Sequence, residues 1–247
     1  MIVIIIQARM GSTRLPGKVL KLIAGRPMFS YQIERLRRAE RAQRIVVATT
    51  LKEADAPIVE FCAAEGVDCM RGSESDVLSR YAAAAVQYNA STVVRVTSDC
   101  PLIDPGLVDE AIETFLGPNL PDYVSNMIEP TWPYGMAVEV VSAAALADAN
   151  RESQNPAERE HVTPFIYWRP DRYRLASLKM RPNLSHHRWT VDTPEDFELV
   201  RRILETLYAG KPRFDMSDVL TLLREHPDWE LINAHVRQKS VRPQESA

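Results

Sequence analysis

Ile2-Val3-Ile4-Ile5-Ile6 runs directly into Gln7-Ala8-Arg9-Met10-Gly11-Ser12-Thr13-Arg14-Leu15-Pro16-Gly17-Lys18. The apolar half has the length and β-branched content of a strand buried on both faces. The polar half begins where that strand stops, and open α/β sheets bind ligands at the carboxyl ends of their strands. Two glycines let the backbone come close to a ligand and successive amides can turn inward. Arg9, Arg14 and Lys18 add fixed positive charge. The stretch therefore predicts a polyphosphate cradle at the end of a central parallel strand. A solvated basic turn is the plainer alternative, but so many cations immediately after a buried strand favour the cradle.

The rest of the composition frames this loop. With 247 residues the chain can bury the core of one large α/β domain or two small ones. A net charge of −3 argues against a nucleic-acid partner, so the basic loop is a local feature suited to a small anion. Cys62, Cys69 and Cys100 lack the spacing of a zinc site or a disulfide framework, which suits a reducing compartment. The first apolar run is too short for a signal peptide and follows no basic residue. No stretch is long enough to span a membrane, so a cytoplasmic protein without a membrane partner is expected.

Outward from the loop, the pattern is strand, loop, helix, repeated. Pro27 suits the first turn of a helix running to about residue 40, with Met28, Phe29, Ile33 and Leu36 inward and Arg35, Arg37, Arg38 and Arg41 outward. Strands are expected over 44–50, 67–70 and 92–97, and helices over 54–65, 76–88 and 105–116. Gly66 would stop the second helix and Asp104 would cap the last. The rhythm predicts an α/β fold: a mostly parallel sheet with right-handed crossovers and helices on both faces. Loops 9–18, 71–75 and 98–104 then share one rim. From about 117 to 182, prolines and aromatics replace the rhythm. This inserted segment reads as a lid, an acceptor-binding lobe or a dimer surface, with a strand over 136–141 and a helix over 155–168. The aromatic cluster within it favours core or subunit interface over a ligand cage. Residues 187–192 read as a returning strand, followed by a helix capped at Thr193 and a short one from Met216. A single domain over 1–235 with a loose tail over 236–247 is expected.

A triphosphate needs a divalent cation, and Mg2+ prefers one or two carboxylates supplemented by phosphates and waters. Asp99 and Asp192 lie at expected strand ends on the same rim as the basic loop. One Mg2+ between them would neutralise phosphate charge, and the loop cations would stabilise departing pyrophosphate. These ingredients fit nucleotidyl transfer. Neither the base nor the acceptor follows from them.

The stretch from Ile6 to Lys18 resembles the opening signature of the cytidylyltransferases that make CMP-activated sugar acids. More closely, the chain resembles the spore-coat-polysaccharide-type members of that superfamily. The likeness continues through Arg71-Gly72-Ser73-Glu74, Asp76-Val77-Leu78-Ser79-Arg80-Tyr81, Arg95 to Pro105, Arg159-Glu160-His161-Val162-Thr163-Pro164 and Thr190 to Asp196. It implies a Rossmann-like, three-layer α/β/α nucleotidyltransferase and a homodimer. It implies CTP bound by Gln7, Ala8, Arg9, Gly11, Ser12, Thr13, Arg14 and Lys18, with Arg71, Ser73 and Ser75 near the base. Arg9, Lys18, Asp99 and Asp192 would be catalytic, the two aspartates holding Mg2+. Glu139, Arg159, His161 and Arg188 would meet a small acidic sugar acceptor, an ordinary salt bridge or cap being the alternative for each. His186 and His187, adjacent on a strand, would face apart and share no metal.

Other readings remain at this level. Gly11 to Lys18 is also similar to the loop of sugar-1-phosphate nucleotidylyltransferases that use UTP, dTTP or GTP. A nucleotide-sugar glycosyltransferase would want a DxD-type metal motif, which Ser98-Asp99 does not supply. A non-catalytic nucleotide-binding module would bind CTP without turnover.

Overall fold

The computed structural model describes residues 1–238; the remainder of the expected tail, 239–247, lies outside the described residues. Strands β1 (Ile2–Gln7), β4 (Arg44–Thr50), β5 (Asp68–Gly72), β6 (Thr92–Thr97), β7 (Tyr123–Ser125), β8 (Glu139–Ser142) and β9 (Leu175–Ser177) form one sheet in the order β5-β4-β1-β6-β8-β7-β9. Within it only β8 is antiparallel to its neighbours. A small antiparallel ribbon, β2 (Leu22–Ile23) with β3 (Arg26–Pro27), follows the first loop. The helices are α1 (Met28–Leu36), α2 (Ala56–Glu65), α3 (Val77–Gln87), α4 (Pro105–Phe115), α5 (Ala143–Glu152), α6 (Pro156–His161), α7 (Pro164–Tyr167), α8 (Pro194–Gly210) and α9 (Met216–Glu225).

β1 shows why the sheet is sandwiched. Its successive side chains alternate between faces. Ile4 and Ile6 join a core with Phe29, Ile58, Leu107, Leu199 and Val219, from α1, α2, α4, α8 and α9. Val3 and Ile5 join a second core with Leu78, Leu146 and Phe165, from α3, α5 and α7. Each fully buried aliphatic side chain contributes roughly 1.5–3 kcal/mol. The result is the three-layer α/β/α architecture, with β1 an interior strand between β4 and β6.

Several local expectations are corrected. Arg35 points inward, not outward: it stands seven residues after Met28, on the same stripe of a helix buried almost all round. Its guanidinium donates to the carbonyls of Ile103 and Phe214 and lies 4.2 Å from the Phe214 ring centre. Pro27 precedes α1 as its N-cap. The segment 117–182 carries more regular structure than the one strand expected in it, supplying β7, β8 and β9 to the main sheet. The helix expected over 155–168 breaks into α6 and α7 at Val162, whose φ is 75°. The aromatic cluster behaves as expected, most of it being core: Tyr123, Trp132, Phe165 and Tyr173 are all buried.

Residues 187–192 form no strand; they carry a single bridge, between Arg188 and Tyr134. Without strand alternation His186 and His187 do not face apart, and their rings lie with centres 4.0 Å apart, tilted by 37°.

Candidate active site

The loop after β1 is tied from both ends. Asp55, buried just ahead of α2, accepts from the Met10 amide at 2.6 Å and from the Thr50 hydroxyl. The Met10 carbonyl then accepts from Ser12 N at 2.8 Å and from Gly17 N at 3.1 Å, which folds the loop back on itself. Gly17 takes a φ of 67°, a conformation that favours glycine, and turns the chain into the short helical turn that begins at Lys18. The amides of Gly11 and Thr13 donate to no group among the described residues. They remain free to meet an anion.

Lys18 reaches the carbonyl of Val191 at 2.7 Å, Asp192 Oδ1 at 2.9 Å and Asp99 Oδ2 at 3.3 Å. Asp99 follows β6, where Thr97 Oγ1 donates to its Oδ1 at 2.6 Å. Asp192 arrives by another route: Val191 N donates to the Asp99 carbonyl at 2.8 Å, which lays its segment along the β6 rim. Its Oδ2 meets Arg14 at 3.0 Å and Arg188 at 3.1 Å. Arg188 is itself clamped by two bonds of 2.9 Å to fully buried Asp196, the residue that completes the capping box of α8.

Burial works against the ammonium of Lys18, yet Asp99 and Asp192 outweigh it and raise the pKa above the usual lysine value. Burial likewise works against the Asp192 carboxylate, and Lys18, Arg14 and Arg188 hold its pKa below the usual value. The two carboxylates therefore converge on one cation. An all-oxygen pair of this kind fits Mg2+, which takes its remaining ligands from phosphates and water. Among the described residues no group of three or more metal-ligating side chains forms, so the protein offers this pair and no closed cage.

Above the pair opens a cleft of about 940 Å³. Gln7, Ala8, Arg9, Gly11, Ser12, Thr13, Arg14, Lys18 and Ser75 line it, as do Asp99, Asp192, Arg159 and His161. Four other expected residues are placed elsewhere. Arg71 folds back onto the carbonyls of Thr50 and Lys52, both at 2.8 Å, and is not among the residues lining the cleft. Ser73 accepts from the Asp76 amide at 3.1 Å, in the turn into α3. Glu139 is buried, its carboxylate fully taken by Arg95, Tyr123 and Thr163. Arg188 stands behind Asp192 and acts on the cleft through it.

Arg159 forms a wall of the cleft and is bound to Asp76 at 2.6 Å and to Asn150 at 2.8 Å. Burial lowers the pKa of His161, with Arg95 adding to the effect and Glu160 and Glu139 opposing it. Its imidazole is therefore neutral at neutral pH.

Sequence reading missed Asp55, Asp196 and Arg80. The first two carry a recognisable signal, an acid at a helix start. Arg80 stands in one of the quoted motifs but was given no role, although it lines the cleft.

Comparison with known proteins identifies the family. Residues 3–216 match the family described as cytidylyltransferase. The chain is 35% identical over 236 residues to the spore coat polysaccharide biosynthesis protein SpsF of Bacillus subtilis, covering 92% of this chain and 95% of that protein. A cytidylyltransferase structure from Leptospira borgpetersenii superposes with a TM-score of 0.88 at 30% identity, covering 97% of this chain and 98% of that one. A CMP-2-keto-3-deoxy-manno-octonic acid synthetase complexed with CTP shares the fold, with a TM-score of 0.64 at 19% identity over 83% of this chain and 98% of that one. The chain belongs to the cytidylyltransferase family and is a nucleotidyltransferase.

Proposed function

From that membership we propose that the protein transfers CMP from CTP to a hydroxyl of a small acidic sugar, with Mg2+ bound and pyrophosphate released. The observation that carries the reading is the meeting of Lys18, Asp99 and Asp192 at the foot of the loop from Arg9 to Arg14. When bound between Asp99 and Asp192, Mg2+ supplies neutralisation of phosphate charge. The free amides of Gly11 and Thr13, with Arg9, Arg14 and Lys18, cradle the β- and γ-phosphates and stabilise charge as pyrophosphate departs. Arg188 and Asp196 hold Asp192 in place, so that little reorganisation is needed at the moment of transfer. His161 and Arg159, on the wall formed by the 117–182 segment, face the acceptor side. A neutral imidazole there can exchange hydrogen bonds with sugar hydroxyls, and Arg159 carries the charge suited to an acceptor carboxylate.

Two assays test this. Pyrophosphate release is followed with CTP, Mg2+ and a panel of sugar acids, and turnover with one of them is expected. Thermal melts with four nucleoside triphosphates should show the largest stabilisation with CTP. Stabilisation by UTP or GTP but not by CTP overturns the cytidylyl reading. We further propose a homodimer through the 117–182 region, supported by exposed Leu120 and Ile128, with light scattering as its test.

A further inference from the structure

The stretch that carries Asp192, residues 187–192, joins no strand ladder. Its one β-bridge among the described residues links Arg188 to Tyr134. A carboxylate that must meet Mg2+ at a fixed place therefore needs support from elsewhere, normally from hydrogen bonds made behind it.

That support comes from the far end of the chain. A short helical turn, Pro227–Leu231, follows α9, and Trp229 and Ile232 pack against the larger core. From this anchored region, contacts run to the Asp192 stretch. Glu230 Oε1 lies 2.9 Å from His187 Nδ1. Asn233 Nδ2 donates to the Arg188 carbonyl at 2.9 Å and to Asp196 Oδ1 at 2.8 Å. Gln238 Oε1 accepts from Arg188 Nη1 at 2.6 Å. All three residues lie past 216, where the match to the family ends.

These bonds decide which way the Arg188 guanidinium faces. Its Nε and Nη2 grip the two oxygens of Asp196, and Nη2 also reaches Asp192 Oδ2 at 3.1 Å. Asp196 Oδ2 in turn accepts from the Asp192 amide at 3.0 Å. Asn233 is 3% exposed and ties the main chain of Arg188 to the carboxylate of Asp196. Both groups that hold Asp192 thus hang on one buried amide, while Gln238 takes the Nη1 side of the guanidinium.

We propose that the segment from Asn233 to Gln238 positions the Mg2+ ligand Asp192, with Asn233 as a positioning residue acting through Arg188 and Asp196. The proposal rests on the Mg2+ and CTP reading above. Removing a bond of this kind typically costs about tenfold to 100-fold in metal affinity or activity. Here the bond is supplied from outside the residues that identify the family.

Thermal melts of the full chain with CTP present and no acceptor, titrated with Mg2+, test the assignment through the Mg2+ concentration that gives half of the full Tm rise. In Asn233→Leu, of similar size but without the donor, this half-point should rise about tenfold or more. Calorimetric CTP affinity at saturating Mg2+ should stay within about twofold. A role in folding alone lowers Tm and leaves the half-point at the wild-type value, which overturns the proposal. If Asn233→Leu does not fold, exposed Gln238 supplies the reading. Gln238→Leu should raise the half-point about threefold, and Gln238→Glu, which still accepts from Arg188, should keep it near wild type. Equal half-points in wild type and both Gln238 variants overturn the proposal. A wild type whose Tm does not respond to Mg2+ with CTP overturns the parent reading and this one together.

Discussion

Lys18 occupies the place where two carboxylates need a cation. Asp99 and Asp192 would repel each other without it, and the Val191 carbonyl would lose its donor. Lys18→Met should therefore destabilise the fold by about 3 kcal/mol, the cost of stranding a largely buried charge. The same substitution frees the carboxylate pair, so added Mg2+ should raise Tm more in Lys18→Met than in wild type. Equal shifts in paired melts would show that the pair does not hold the cation. Turnover should vanish in Asp192→Asn, and near-normal rates there would remove the two-carboxylate site. The pH behaviour has two signs. With a lowered pKa, Asp192 stabilises fully above about pH 3.9 and loses this as pH falls through its folded value. With a raised pKa, Lys18 stabilises fully below about pH 10.4 and loses this as pH rises through its folded value. The cluster is thus constant across neutral pH. His161 and His187, both lowered chiefly by burial, let the unfolded chain take protons first, so stability falls as pH drops below about 6.5. Melts between about pH 8 and about pH 5 should show a shallower decline in His161→Asn, and an unchanged slope would refute the assignment. The meeting of Lys18, Asp99 and Asp192 was legible because the basic loop after β1 and the turn after β6 share one rim of the sheet. Arg80 stood inside a quoted motif, but nothing in its spacing said that it would be buried beside the cleft.

Among the elements, β1, β4, β6 and the helices between them were legible because apolar runs and caps agree with one another. The segment carrying Asp192 was misread for a physical reason: Trp189 and Val191 alternate as in a strand, yet most of its bonds go to Tyr134 and Asp99, not to a ladder. Short β7 and β9 escaped notice because three residues carry too little period to detect. α5 does carry a signal, Ser142 capping an alanine-rich run, with its hydroxyl accepting from Ala145 N at 3.1 Å. What fixes the Asp192 segment is Gly135, at a φ of 103°, where a Cβ would stand 2.5 Å from Thr190 N. Gly135→Ala should combine backbone strain with that clash, costing about 2 kcal/mol or more. It should also push Trp189 and Thr190 outward and carry Asp192 away from Asp99. The expectation is a large loss of turnover from a residue outside the cleft, read by steady-state rates beside urea unfolding. Wild-type turnover in the folded variant would mean the contact does not set the Asp192 position.

At the scale of the molecule, the sheet has a parallel half, β5-β4-β1-β6, and an added half, β8-β7-β9, joined at the β6–β8 seam. Arg95 and Glu139 are direct cross-strand partners at that seam and form an ion pair, with side chains only 11% and 10% exposed. Glu139 also accepts from Tyr123 on β7 and from Thr163 ahead of α7. On the other side Arg95 donates to Gln7 Oε1 at 3.1 Å, at the cleft. Because an arginine only donates, this bond turns the Gln7 amide so that its NH2 group is free for a ligand. The two halves thus share one buried polar unit whose far end touches the nucleotide loop. Removing one partner leaves a buried charge alone, so Glu139→Gln and Arg95→Met should each cost about 3–5 kcal/mol. The double variant Arg95→Met/Glu139→Leu removes both charges and should cost clearly less than the sum of the singles. Urea midpoints for the cycle decide the matter, and additive losses would mean the seam is not coupled through this pair. Nucleotide affinity is the second readout. Glu139→Gln leaves Arg95 free to shift and release Gln7, so CTP should bind more weakly although residue 139 lies outside the cleft. Unchanged affinity in a folded Glu139→Gln protein would confine the unit to holding the sheet together.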